Sequence, residues 1–286
     1  MKMIKPIVNL SKVAEDYETF VFGFNGVLSD GRILFPEAVN CLRNLATSGK
    51  KIVIISNLPL RVAEVVEIFD QAKFPLHLLS NIVTAGEILH YKLKAAQNEY
   101  AAIGNSYYHL GSKKEKGVFS GLSFEETMSL EKAHFLYMSA VSSPTDTLDV
   151  YRSALEQAVG LGLPFVCAGN DTSVFRDGKL CLSVGALAEA YAIMGGRIIT
   201  LGKPGTQILQ YALEGMGNLE NILIIGDNVA TDIKMATLKG YDSVLISKGR
   251  HINYLGEGYI PDVAKTRELS NSCDVSPNYV ISAVRW

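Results

Sequence analysis

Short apolar runs alternate along this chain with longer stretches whose apolar positions recur at helical spacing. Thr19–Phe24 (TFVFGF) is rich in β-branched and aromatic residues and predicts a buried strand. Pro36–Ser48 follows as a helix. Proline suits a first turn, where its missing N–H would have no partner anyway, and Gly49 is a stop signal. Lys51–Ile55 (KIVII) predicts a second buried strand and Leu60–Ala72, rich in valine and glutamate, a second helix. The pattern returns late in the chain. Strands are predicted at Arg197–Leu201, Asn221–Ile225 and Ser243–Ile246, with helices at Gly205–Gly215 and Ala230–Leu238. Continuous apolar strands separated by helices predict an α/β fold, a doubly wound parallel sheet covered on both faces.

The intervening segment has an α/β pattern of its own. It predicts a helix near Gly86–Gln97, a strand at Ala133–Ala140, a helix at Thr147–Leu161 and a strand at Pro164–Ala168. The expected organisation is a discontinuous core domain, 1–83 and 196–286, with an inserted α/β cap domain, 84–195. Two short hinges at the crossings suit a lid that closes over a site. From His251 onward the chain is polar and loop-rich, with an edge strand expected at Tyr279–Val284.

Composition narrows the function classes. Across 286 residues, 48% are hydrophobic and 20% charged, which is ordinary for a globular protein. A net charge of -2 gives no pull toward nucleic acid or an anionic membrane, so neither is an expected partner. The mixed run Lys113-Lys114-Glu115-Lys116 reads as a solvated loop. Cys41, Cys167, Cys181 and Cys273 form no CxxC pair and match no zinc spacing; they read as reduced thiols, which fits a cytoplasmic location. The N-terminal stretch MKMIKPIVNLSKVAEDYE lacks the apolar run of a signal peptide, and no segment has the roughly 18 apolar residues of a membrane span.

In an open parallel sheet, ligands gather at the carboxyl ends of the strands. Four such ends here carry chemistry. Gly23-Phe24-Asn25-Gly26-Val27-Leu28 ends the first strand and Ser56-Asn57 the second. Gly202-Lys203-Pro204 follows Leu201, and Gly226-Asp227-Asn228 follows Ile225, with Asp232 shortly beyond. A hydroxyl, an amide and backbone N–H groups at a strand-to-helix turn hold phosphate oxygens. Lys203 offsets phosphate charge as a point cation. Asp227 and Asp232 are hard oxygen ligands of the kind magnesium takes. Singly, each is also an ordinary turn or helix cap. Together, in this order, they predict a phosphate and metal site.

The same order resembles the haloacid-dehalogenase superfamily, in particular its NagD-like, class IIA branch, over nearly the whole chain. Ile54-Ile55-Ser56-Asn57 matches the second motif of that family, Gly202-Lys203-Pro204 the third and Gly226-Asp227…Asp232 the fourth. Ala168-Gly169-Asn170-Asp171, with Gly178 and Gly185-Ala186-Leu187, is similar to the cap loop, so Asn170 and Asp171 are implied to face the substrate. The resemblance implies a Rossmann-like core, a phosphorylated small molecule as ligand, magnesium as cofactor and hydrolysis through an aspartyl-phosphate. Caps of the branch often take part in dimers, which implies a homodimer.

The first motif departs from the family's Asp-x-Asp-Gly-Val/Thr-Leu. Gly26, Val27 and Leu28 fix the register, which puts Gly23 at the nucleophile position and Asn25 at the acid/base position. Glycine has no side chain to attack phosphorus, so the covalent route is closed at residue 23. One metal ligand is lost with it, and a weaker magnesium site is expected; the Asn25 backbone carbonyl still serves. Asn25 cannot relay a proton. Neither Asp30, in the flap after the motif, nor Glu18, before the strand, is positioned to replace the nucleophile. His109, His134 and Tyr107-Tyr108 have no matching partners and read as core or surface residues. Three readings follow: a member that binds a phosphorylated ligand or a partner without efficient turnover, a slow phosphomonoester hydrolase using metal-oriented water, or recent decay of an active lineage at residues 23 and 25.

Overall fold

A computed structural model of the chain describes residues 3–96, 98–112, 117–176, 179–217 and 219–286. In chain order its elements are β1 (Lys5–Pro6), β2 (Thr19–Phe22), α1 (Pro36–Thr47), β3 (Lys51–Ser56), α2 (Val62–Gln71), β4 (Asn81–Thr84), α3 (Ala85–Ala95), β5 (Ser106–His109), β6 (Glu125–Thr127), β7 (Phe135–Met138), α4 (Leu148–Gly160), β8 (Phe165–Ala168), β9 (Ser173–Arg176), β10 (Lys179–Leu182) and α5 (Val184–Ile193). There follow β11 (Ile198–Leu201), α6 (Gln207–Leu213), β12 (Ile222–Gly226), a π-helical turn (Val229–Ile233), α7 (Lys234–Lys239), β13 (Asp242–Ile246), α8 (Ile252–Leu255), α9 (Val263–Asn271) and β14 (Tyr279–Ile281).

The chain divides into two compact units. The first comprises Met1–Ser56, Ala63–Val83 and Lys203–Trp286; the second comprises Asn57–Val62 and Thr84–Gly202. The first unit carries a sheet of order β1-β14-β13-β12-β2-β3-β4. The registers of β1, β14, β13, β12, β2 and β3 are parallel throughout. Its central strands are buried on both faces, as their continuous apolar runs require: every residue of β2 and β12 is buried, and every residue of β3 after Lys51. α1 buries Ala38, Cys41, Leu42 and Leu45, a stripe at helical spacing, and packs with α6 against β3.

The second unit carries a parallel sheet of order β11-β8-β7-β5-β6 and a separate β9–β10 antiparallel hairpin. Numbered by chain order within the unit, the sheet reads 2-1-3-4-5 from the β6 edge, itself a doubly wound arrangement. α3 and α5 pack against β8 and β11.

Several expectations change. Arg197–Leu201, expected in the first sheet, pairs as β11 with β8, so the inserted unit runs to Gly202 and also takes in Asn57–Val62. A short buried strand looks the same to periodicity whichever sheet receives it. The expected edge strand at Tyr279–Val284 is β14, and the two-residue β1 covers its outer side. Gly185-Ala186-Leu187 lies in the first turn of α5 rather than in a loop. The run Lys113–Lys116, Gly178 and the end of the first cap helix at Gln97 fall outside the described residues.

Candidate functional site

The carboxyl ends of β2, β3 and β12 are neighbours in the first sheet. Phe22 lies opposite both Ile54 and Ile225, so the next residue, Gly23, leaves the sheet between the ends of β3 and β12. Its N–H donates to the Ile225 carbonyl at 2.8 Å. Ser56, the last residue of β3, is buried. Past β12 the Asn228 side chain caps the following turn by accepting from the Ala230 N–H at 3.0 Å. That turn winds as a π-helix and turns Asp232 back toward the strand end.

Lys203 and Asp232 meet there. Lys203 Nζ donates to Asp232 Oδ1 at 2.6 Å, with side-chain exposures of 6% and 2%. The Asn228 N–H donates to Asp232 Oδ2 at 3.2 Å. Such a pair repays its desolvation only with close geometry and extra hydrogen bonds, and both are present. Asp227 is also buried, and its Oδ2 accepts from the Arg250 N–H at 2.8 Å. The chain closes tightly on this carboxylate. A Cβ at Gly26, whose φ is +73°, would lie 2.0 Å from Asp227 Oδ2, and one at Gly249 would lie 2.4 Å from it.

Gly23 borders the ion pair. A Cβ placed there would stand 3.4 Å from Asp232 Oδ1 and 3.1 Å from Val27 Cγ2. A side chain at residue 23 would thus project beside Asp232. Asn25 is half-buried, and its Oδ1 is shielded from solvent with no hydrogen-bond partner among the described residues.

The first unit therefore brings together Gly23, Lys203 and Asp232, with Asp227 after the same strand. Asn57 belongs to the second unit, although it follows Ser56 directly. Asn170 and Asp171 lie there too. Asn170 Oδ1 accepts from the Thr200 hydroxyl at 2.9 Å, and the Asp171 carbonyl accepts from the Gly185 N–H at 3.1 Å at the start of α5.

Of the two carboxylates weighed as replacement nucleophiles, Asp30 is engaged in a local turn and Glu18 lies at the far end of β2. Asp30 Oδ1 accepts from the Arg32 and Ile33 N–H groups at 2.8 and 2.9 Å in a local turn. Slight burial pushes its carboxyl up, but these backbone donors and the Arg32 charge outweigh that and hold it below its ordinary value. Glu18 precedes β2, at the opposite end of the strand from Gly23. Tyr107 stacks on Phe119 at 4.0 Å in an aromatic cluster with His109, Phe135 and Tyr137. His134 Nδ1 pairs with the Ser106 hydroxyl at 2.6 Å. Cys41 and Cys167 are buried, which pushes their thiols up to about 12 and about 11 and leaves them inert at neutral pH.

Sequence reading missed Gly249, Arg250 and His251, which follow β13 at the same sheet edge. The glycine after a buried strand was the available signal of a close backbone approach. Burial, then the adjacent Arg250 charge, pushes the His251 imidazole down to about 4; its neutral Nε2 accepts from the Val229 N–H at 3.4 Å.

The donor chemistry fits magnesium. Buried carboxylates and a partnerless amide oxygen are hard donors, and this ion is held by one or two carboxylates completed by water and ligand phosphate. The number of donors is small: among the described residues no three His, Cys, Asp or Glu side chains gather as a metal cluster. Asp227 and Asp232 are the residues that would hold it.

A family model described as haloacid dehalogenase-like hydrolase matches residues 20–125, and a HAD-hydrolase-like model matches residues 200–264. The chain belongs to the haloacid-dehalogenase superfamily. A putative NagD protein shares the fold at a TM-score of 0.60 and 21% identity, covering 82% of this chain and 90% of that one. A haloacid-dehalogenase-like hydrolase from Brucella suis 1330 shares the fold at a TM-score of 0.80 and 26% identity, covering 96% of this chain and 98% of that one. The 5'-nucleotidase YutF of Bacillus subtilis (strain 168) is 24% identical over 242 residues, 82% of this chain and 88% of the relative. A glycerol phosphate phosphatase from Mycobacterium tuberculosis, solved in complex with magnesium, is similar at a TM-score of 0.59 and 20% identity, covering 87% of this chain and 71% of that one. The superfamily is thus one of phosphatase-like hydrolases, with magnesium present in a structural neighbour. No helix among the described residues is long and apolar enough to cross a membrane.

Proposed function

We propose that this chain binds a phosphorylated small molecule at the carboxyl edge of its first sheet and does not hydrolyse it through an aspartyl-phosphate. The observation that carries the reading is the buried Lys203–Asp232 pair beside a residue 23 that has no side chain. In the first unit, Lys203 and Ser56 are the phosphate-holding groups in this reading; in the second unit, Asn57 is taken as a phosphate-holding group and Asn170 and Asp171 as ligand-facing groups. Magnesium, when bound, offsets the charge of the ligand phosphate. Its affinity is weakened relative to a site with a carboxylate at residue 23, because Asp227 and Asp232 supply the only acidic ligands proposed. Ligand phosphate then completes the coordination, so ion and ligand are expected to bind together.

Two of the relatives named above are a 5'-nucleotidase and a glycerol phosphate phosphatase, which supports a phosphomonoester as the ligand class. Charge supports it too. Asp227 and Asp232 against Lys203 leave one excess negative charge, so a dianionic phosphate enters favourably only in company with a divalent ion. The protein is further proposed to act in the cytoplasm and to pair as a homodimer, as the branch implies. Calorimetry with a panel of phosphate esters, with and without magnesium, tests the reading. Heats seen only when both are present support it. No heat and no thermal shift across the panel would sink it. Release of phosphate from nitrophenyl phosphate above background, lost in Asp227→Ala, would replace it with slow non-covalent hydrolysis.

A further inference from the structure

Asn57 begins a six-residue segment, Asn57–Val62, that joins the second unit although both its flanks belong to the first. The contacts that hold it converge on the start of α3. Thr84 is the N-cap of that helix, and its hydroxyl accepts from the Glu87 N–H at 3.0 Å. Thr84 and Glu87 stand at the two ends of a capping-box spacing, in which the glutamate ordinarily turns back onto the N-cap N–H. Here the Glu87 carboxylate reaches the loop instead. It accepts from Arg61 Nε at 2.7 Å, from Arg61 Nη2 at 2.8 Å and from the Val62 N–H at 2.9 Å. The two side chains are 24% and 13% exposed, so this bidentate pair is partly shielded from water.

Other bonds fasten the same loop. The Thr84 hydroxyl donates to the Leu60 carbonyl at 2.5 Å, and the Gly86 N–H donates to the Leu58 carbonyl at 3.1 Å. The fit is close: a Cβ at Gly86 would lie 2.4 Å from the Pro59 carbonyl carbon. At the other end, a Cβ at Gly169 would lie 2.2 Å from the Asn57 carbonyl oxygen, and one at Gly202 would lie 2.5 Å from Asn57 Oδ1. Asn57 is thus seated between two backbone turns at the ends of β8 and β11, and the loop beyond it is tied to α3.

We propose that Glu87 is a positioning residue for the Asn57 amide: through Arg61 and the Val62 N–H it fixes the Asn57–Val62 loop, and with it the side chain of Asn57, all within the second unit. This rests on the reading of Asn57 as a phosphate-holding group. Burial raises the Glu87 carboxyl, but the Arg61 and Val62 hydrogen bonds, with the charges of Arg61 and His90, outweigh it and keep it below its ordinary value. The clamp is therefore charged at neutral pH.

The test uses the full chain, inorganic phosphate with magnesium as the probe, and the NMR signal of the Asn57 side-chain amide. Glu87→Ala is expected to weaken phosphate binding about tenfold, the scale of one hydrogen bond to a charged group. Asn57→Ala is expected to do the same, and the double variant no more than either single. Arg61→Ala cuts the same pair from the other side and is expected to match Glu87→Ala; it serves if the latter does not fold. In phosphate-free protein, either variant is expected to move the Asn57 amide resonance. An Asn57 resonance that stays in place, or additive losses in the double variant, overturns the proposal. If the unaltered protein binds no phosphate, the phosphate reading falls, and the ligand-free Asn57 resonance still decides whether the clamp sets that side chain.

Discussion

Replacing Lys203 by methionine tests the energetic centre of the site. The substitution keeps most of the apolar stem and removes the ammonium 2.6 Å from Asp232 Oδ1. Asp232, only 2% exposed, then loses its cationic partner and keeps the Asn228 N–H donor at 3.2 Å. A buried charge stripped of its partner costs about 3–5 kcal/mol. For a unit of this size that lowers the melting temperature by roughly 10 °C. The chain's one tryptophan, Trp286, lies in the first unit, so its fluorescence in urea follows the unit that contains the pair. Adding Asp232→Asn to Lys203→Met removes the stranded charge and is expected to return more than half of the loss. A single variant within about 1 kcal/mol of the unaltered protein, or a double variant less stable than the single, would refute the reasoning.

Three further outcomes are expected. Gly23→Asp sets a carboxylate near Asp232, a repulsion of up to about 4 kcal/mol before Lys203 relieves it; the variant is expected to melt lower in chelator and to gain more from added magnesium than the unaltered protein, as read by thermal shift. Gly26→Ala forces a side chain into a backbone at φ +73° and into Asp227; a loss of about 3 kcal/mol in urea unfolding is expected, and one below about 1 would mean that the turn gives way easily. His251 takes up its proton near pH 6.5 when unfolded but only near 4 when folded. Between those values the unfolded chain holds more protons, so stability falls as the pH drops through this window, by at most about 3 kcal/mol. His251→Gln is expected to flatten the urea midpoint against pH there.

The strand ends were legible because burial on both faces writes an unbroken apolar run. The polar residue after each run then marks the edge where ligands gather. That logic reached Gly23, Ser56, Lys203 and Asp227 directly. It could not say which sheet a run joins, and so β11 was assigned to the wrong one. Nor could it see that Asn57 parts company with Ser56, since its loop is held through Arg61 and Val62 by Glu87, and Asn57 itself sits against Gly169 and Gly202, all distant in sequence. The strands β5 and β6 were missed because they are short and one of them carries two glutamates, Glu125 and Glu126. The Arg250 N–H on Asp227 had no sequence signal at all, being a main-chain donor that any residue but proline could supply.

The Lys203–Asp232 pair also governs how readily an acidic side chain could enter at residue 23. A single base change turns many glycine codons into aspartate codons, so a carboxylate there is a short mutational step away. That side chain, however, would enter beside partners already matched to each other in a dry setting. A variant carrying it would have to loosen that match, and would be less stable than the chain it replaced.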